Sequence, residues 1–82
     1  MLAAHRVLLY SRPGCGLCDE ARDVILAVRA RRDFAFEEVD ISGDDELERE
    51  YGIRIPVVLV DEMELFELSV EATALAEALA RG

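Results

Sequence analysis

The stretch Arg6-Val7-Leu8-Leu9-Tyr10-Ser11-Arg12-Pro13-Gly14-Cys15-Gly16-Leu17-Cys18 decides how this chain is read. Its first six residues form a short, nearly continuous apolar run, the pattern of a central strand buried on both faces. Ser11-Arg12-Pro13-Gly14 then breaks the run with turn residues. From Cys15 to about Arg32 the pattern is helical. Leu17, Ala21, Val24, Ile25 and Val28 recur at helical spacing and are expected to form one apolar stripe. Asp19, Glu20 and Asp23 stand in the early turns and Arg29, Arg31 and Arg32 in the last, a polarity that suits the helix dipole. Two cysteines therefore fall where a strand hands over to a helix.

Outward from this stretch, Phe34-Ala35-Phe36-Glu37-Glu38-Val39-Asp40-Ile41 reads as a second strand, and its charges suit a sheet edge. Asp44 to Tyr51 reads as a short acidic helix with Leu47 and Tyr51 as its apolar contacts. Gly52 then supplies a left-handed C-cap, with Ile53 covering it. Pro56-Val57-Val58-Leu59-Val60-Asp61 is a third strand, with proline at the first position, where a missing N–H does least harm. Glu62-Met63 turns the chain into a fourth strand, Glu64-Leu65-Phe66-Glu67. Ser69 is the expected N-cap of a last helix from about Val70 to Ala80. The order β-α-β-α-β-β-α begins with a right-handed parallel crossover and ends in a hairpin. That is an α/β architecture with a four-stranded mixed sheet flanked by helices. With 82 residues, no repeat and no Gly/Ser/Pro-rich linker, residues 1–82 read as one domain.

Charge narrows the function classes. Eighteen acidic residues against nine basic ones, all of them Arg, give a formal net charge of −9. A nucleic-acid binder needs a basic face to neutralise phosphates, and an anionic membrane repels such a chain. The N-terminal Met1-Leu2-Ala3-Ala4-His5-Arg6 leads into an apolar run too short for a signal core or a membrane span, so a cytoplasmic location is expected. The acidic stretch from Glu37 to Glu50 has no calcium-loop spacing and reads as a solvated face, or as a docking face for a basic partner.

A permanent structural disulfide is unexpected in the cytosol, so Cys15 and Cys18 need another explanation. A cysteine at a helix N-terminus faces unpaired backbone N–H groups and the positive end of the dipole, and both favour thiolate. Cys18, three positions on, stands close enough to bridge to it. This placement fits dithiol–disulfide exchange, with Cys15 attacking and Cys18 resolving the mixed disulfide. Three other readings stay open on the residues alone. Zinc would draw on both cysteines and His5, one ligand short of a closed structural site. A metal or iron–sulfur cluster shared across a dimer needs only two cysteines per chain. Two inert buried cysteines would simply pack.

The segment Tyr10-Ser11-Arg12-Pro13-Gly14-Cys15-Gly16-Leu17-Cys18 resembles the active-site strand and loop of glutaredoxins, and in particular short bacterial glutaredoxin-like proteins of uncharacterised role. The likeness continues through Glu38-Val39-Asp40-Ile41 and Tyr51-Gly52-Ile53-Arg54-Ile55-Pro56-Val57, spanning roughly residues 6 to 80. It implies a thioredoxin-like fold and a small thiol–disulfide oxidoreductase with a redox disulfide between Cys15 and Cys18 and no metal. The resemblance also implies that Pro56 is a cis-proline beside the cysteine pair, exposing the backbone of Ile55 to an extended substrate. Arg12 matches a position where glutaredoxins often carry Lys. With Pro13 and Gly14, and with Arg54 two residues before Pro56, it is expected to line the substrate pocket and attract a carboxylate of glutathione. The implied substrates are disulfide-containing proteins or glutathione mixed disulfides, handled by a monomer. No cofactor is implied beyond electrons from glutathione or a thioredoxin-type reductase. The chain departs from the pattern at Phe66-Glu67-Leu68-Ser69-Val70-Glu71, which has no glycine where glutaredoxins carry a Gly-Gly turn that holds glutathione.

Overall fold

The computed structural model describes residues 5–80. The elements are β1 (Arg6–Ser11), α1 (Gly16–Arg29), β2 (Ala35–Asp40), α2 (Asp45–Tyr51), β3 (Val57–Val60), β4 (Met63–Glu67) and α3 (Ala72–Ala80). The strands lie in the order β2-β1-β3-β4. β1 runs parallel to β2 and antiparallel to β3, and β3 pairs antiparallel with β4. The charged β2 is an edge, as its composition suggests, and β1 is central.

Alternation along β1 and β3 decides where the core lies. Val7 and Leu9 of β1 and Val58 and Val60 of β3 point to one face and are buried there by Ala21, Ile25 and Val28 of α1 and Leu75 and Leu79 of α3. Phe34, just before β2, closes the same cluster. Burying side chains of this size stabilises the fold by about 1.5–3 kcal/mol each relative to exposure.

The α1 stripe is rotated from its expected position. The buried positions are Cys18, Ala21, Ile25 and Val28, which follow each other by three, four and three residues. Leu17 is 49% exposed and Val24 only half-buried, because Cys18 occupies the seam that the pattern assigns to its apolar neighbour. A cysteine is small and apolar enough to serve as a core residue.

Three local expectations are corrected. Gly52 is not a left-handed cap: its φ is −53°, and Ile53 is 94% exposed and covers nothing. Glycine is needed there because a Cβ would run into the carbonyl of Glu48, with Nη2 of Arg12 3.4 Å away. The β3–β4 turn is Asp61-Glu62, one residue earlier than expected, with φ of 51° and 71°. Two successive positive φ values belong to a type I′ hairpin. Asp61 accepts the left-handed geometry because its carboxylate receives the Arg6 N–H at 2.9 Å and His5 Nδ1 at 2.6 Å. Finally, α3 begins at Ala72 under Glu71, whose carboxylate accepts the N–H groups of Thr73 and Ala74 at 2.8 and 3.0 Å. Ser69 does not cap it. Leu68 is held at φ 70°, its N–H directed to the carbonyls of Pro56 at 2.8 Å and Arg54 at 3.2 Å, so the chain is still docked on the β3 approach when it passes Ser69.

Candidate active site

Both cysteines are positioned by the end of β1. Ser11 carries the last β1 carbonyl into a bond with the Ile41 N–H at 2.9 Å, which fixes where the strand stops. Arg12 and Pro13 follow, and Gly14 takes φ 77°, a left-handed value that suits glycine and turns the chain toward the helix. Cys15 is the N-cap of α1, in extended conformation. Its Sγ accepts the N–H of Cys18 at 3.1 Å, so sulfur occupies the place that an N-cap oxygen ordinarily takes. Cys15 and Cys18 are joined in a disulfide, with Cα atoms 5.2 Å apart.

The two sulfurs live in different surroundings. Cys15 is half-buried, while Cys18 is 0% exposed and packs against Ile41 and Ile55. Tyr10, Leu47 and Tyr51 lie around the same cluster. The Ile55–Pro56 peptide bond is cis, and Pro56 is fully buried. The short α2, capped by the Asp44 carboxylate on the Leu47 N–H at 3.0 Å, brings Tyr51 onto Tyr10 in a stack with ring centroids 4.3 Å apart.

Arg54, two residues before Pro56, is bound on three sides by the chain itself. Its Nη1 donates to both oxygens of Glu64 at 2.9 and 3.1 Å and to Glu67 at 3.4 Å. Nη2 and Nε meet the Glu50 carbonyl at 3.0 and 3.3 Å, and the guanidinium carbon lies 5.2 Å from the centre of the Tyr51 ring. These carboxylates, Glu64 first, hold the Arg54 pKa above its ordinary value. Arg12 pairs with Glu48 at 3.0 Å through Nη2, and its Nε is buried with no acceptor.

A second polar group lies behind the cysteine turn, and the sequence pattern does not flag it. Glu38 of β2 accepts from Arg22 Nε at 2.6 Å, from Arg22 Nη2 at 2.5 Å and from Ser11 Oγ at 2.7 Å. Arg22 also reaches Asp19 at 2.8 Å. The Arg22 guanidinium, ahead of the Ser11 hydroxyl, holds the Glu38 carboxyl below the usual carboxylate range despite partial burial. The same pairing raises the Arg22 pKa. The available signal is geometric: Ser11 is buried, Glu38 stands beside the inward-facing Leu9 in the β1–β2 register, and Arg22 is one turn beyond Cys18.

His5 does not join the cysteines. It precedes β1, its ring on Asp61, whereas Cys15 follows the far end of that strand. Six residues of strand separate them by about 20 Å, which rules out a zinc site built on these three residues of one chain. Among the described residues no three His, Cys, Asp or Glu side chains gather as a metal site, and no helix is long and apolar enough to cross a membrane. A half-buried sulfur at a helix N-terminus bridged to a fully buried one is an arrangement suited to thiol–disulfide exchange.

Comparison with known proteins agrees. Residues 6–80 match the family model described as Glutaredoxin-like domain (DUF836). A structural genomics target protein from X. campestris is 35% identical, with a TM-score of 0.73 over 89% of this chain and 93% of that one. A protein from Nitrosomonas europaea superposes with a TM-score of 0.82 at 24% identity, covering 98% and 96% of the two chains. A mutant thioredoxin from Halobacterium salinarum NRC-1 shares the fold at 20% identity, with a TM-score of 0.68 over 94% and 73%. No curated relative matches the chain. The fold is thioredoxin-like, and the chain belongs to the glutaredoxin-like domain family.

Proposed function

We propose that this protein is a small dithiol oxidoreductase that reduces disulfides through Cys15 and Cys18. One observation carries the reading: the half-buried Cys15 sulfur receives a backbone N–H at the start of α1, while Cys18 is sealed in the apolar cluster. In the reduced protein that N–H and the helix N-terminus favour the Cys15 thiolate. The thiolate attacks one sulfur of a substrate disulfide, forming a Cys15–substrate bond and releasing one substrate thiolate. Cys18 then loses its proton and attacks the Cys15 sulfur, forming the Cys15–Cys18 disulfide and releasing the second. The substrate gains two electrons and two protons, and the protein dithiol loses them.

Pro13 and Gly14 shape the approach to Cys15, and Ile55 with Pro56 forms the platform on which an extended substrate backbone lies. Arg12, three residues before Cys15, borders the same approach with its charge paired to Glu48. The protein works as a cytoplasmic monomer without a bound cofactor, and its electrons come from glutathione or a thioredoxin-type reductase. The test is trapping. Reduced Cys18→Ser protein mixed with a disulfide-bonded protein should accumulate a mixed disulfide at Cys15, visible by intact mass. Cys15→Ser protein should accumulate none. Equal trapping by both variants, or a coloured or zinc-bearing dimer on anaerobic purification, refutes the reading.

A further inference from the structure

The following inference rests on the oxidoreductase reading and concerns which disulfides the site accepts. Arg12 and Arg54 flank the cysteine turn and the Ile55–Pro56 platform in the chain, and each is already paired with carboxylates of the protein itself. Arg54 is held by Glu64, Glu67 and Glu50, and Arg12 by Glu48. Two guanidinium charges thus face four carboxylates, an excess of two negative charges. Both groups belong to one rim. Arg12 Nη2 lies against Gly52 at the end of α2, two residues before Arg54. Leu68 ties the carbonyls of Arg54 and Pro56 to the end of β4 and lines a shallow groove with Leu17, Glu20 and Val70. Two half-exposed leucines thus border this rim: Leu17, which lies between the two cysteines, and Leu68, bonded to the residues on either side of the Ile55 that packs with Cys18.

An anionic substrate reaching Arg54 must displace Glu64 from a two-oxygen hydrogen bond and settle among the remaining carboxylates, a like-charge placement that disfavours it. A cationic side chain meets the opposite field, and an apolar one finds the two leucines. We propose that Glu64, Glu67 and Glu48 are specificity-determining residues. By occupying Arg54 and Arg12 they make this site select polypeptide disulfides flanked by basic and apolar residues over anionic disulfides such as oxidised glutathione. In this exchange two electrons and two protons pass from the Cys15/Cys18 dithiol to the peptide disulfide.

The test uses single-turnover stopped flow, mixing the reduced protein with an excess of fluorogenic peptide disulfide. Two peptides differ only in carrying Lys or Glu beside the cystine, and oxidised glutathione is the third probe. The Lys peptide should react about tenfold faster than the Glu peptide at low salt, with the ratio falling toward one as salt screens the field. Oxidised glutathione should behave like the Glu peptide. Glu64→Gln with Glu67→Gln removes two of the three carboxylates on Arg54 and should shrink the ratio about fivefold, whereas Arg54→Gln should widen it, opposite movements that a loss of packing alone does not produce. Thermal melts identify any variant that fails to fold, and Glu48→Gln, acting through Arg12, provides an independent route. Equal rates for the two peptides, or a ratio unmoved in every folded variant, overturns the proposal and leaves the oxidoreductase reading standing. No reaction with any probe overturns that reading and this proposal with it.

Discussion

Replacing Arg22 with Met tests whether the polar group behind the cysteine turn holds α1 to β2. Met preserves much of the apolar stem and removes the fork that meets Glu38 with two hydrogen bonds of 2.6 and 2.5 Å. The pair is neither fully exposed nor sealed: the two side chains are 32% and 26% accessible. Exposed pairs contribute up to about 1 kcal/mol, and breaking a buried pair costs about 3–5 kcal/mol. The bidentate geometry, with Ser11 as a third donor, argues for about 1.5–2 kcal/mol on loss of Arg22. For a domain of this size that is a fall in Tm of roughly 6–15 °C. Glu38→Gln should cost less, since Ser11 keeps an acceptor, and a double-mutant cycle in urea should return a coupling of about 1–1.5 kcal/mol. The effect depends on pH in a definite direction. Because folding lowers the Glu38 pKa, its contribution is complete above the unfolded carboxyl value of about 4.3 and is lost as pH falls through the folded value. Wild type and Glu38→Gln should therefore converge in acid and separate near neutrality. A coupling below about 0.3 kcal/mol, or a gap between the two that persists unchanged in acid, refutes the assignment.

Three further outcomes follow from the geometry. Alkylation of reduced Cys15 against pH should give a pKa below the free-cysteine value of about 8.5, because the Cys18 N–H and the helix N-terminus favour the thiolate; a value at or above it contradicts the N-cap argument. Gly52→Ala should destabilise by about 1–3 kcal/mol, since the new Cβ meets the rigid Glu48 backbone, and chemical denaturation will show whether the helix end yields instead. Asp61→Val places a β-branched residue at φ 51° and removes the acceptor for the Arg6 N–H; we expect a loss of about 2 kcal/mol in thermal melts, with Asp61→Asn retaining much of the stability.

What the sequence made legible is what local patterns govern. The apolar run of β1, the charged edge of β2 and the acidic α2 stand where periodicity places them. The cysteine pair lies at the strand-to-helix junction because turn residues mark that junction directly. Errors arise where a distant group decides a local choice. Leu17 has the right spacing for the core, but Cys18 takes the seam. Asp61-Glu62 lacks the usual hairpin glycine, and the turn forms with His5 and Arg6 as partners of a residue more than fifty positions away. Ser69 has the right chemistry for a cap, but Leu68 is pinned to the Pro56 carbonyl and the helix waits for Glu71. The polar side of the site was the least legible. Glu38 lies 27 positions from Ser11, and Arg54 meets Glu64 and Glu67 only once β4 folds beside β3. Charge pairs carry no period, so only tertiary geometry reveals which cations are already occupied.

Cys18 belongs at once to the chemistry and to the core, and its complete burial against Ile41 and Ile55 turns packing into an electrical setting. Folding and oxidation form a thermodynamic cycle, so any change that stabilises the oxidised and reduced folds unequally must appear as a change in midpoint potential. For a two-electron couple, about 1.4 kcal/mol of such imbalance moves the potential by roughly 30 mV. The side chains around this sulfur therefore set a voltage as well as a melting temperature. A methyl group gained or lost at Ile41 or Ile55 shifts that potential, without touching either cysteine, to the extent that it stabilises the two redox states unequally.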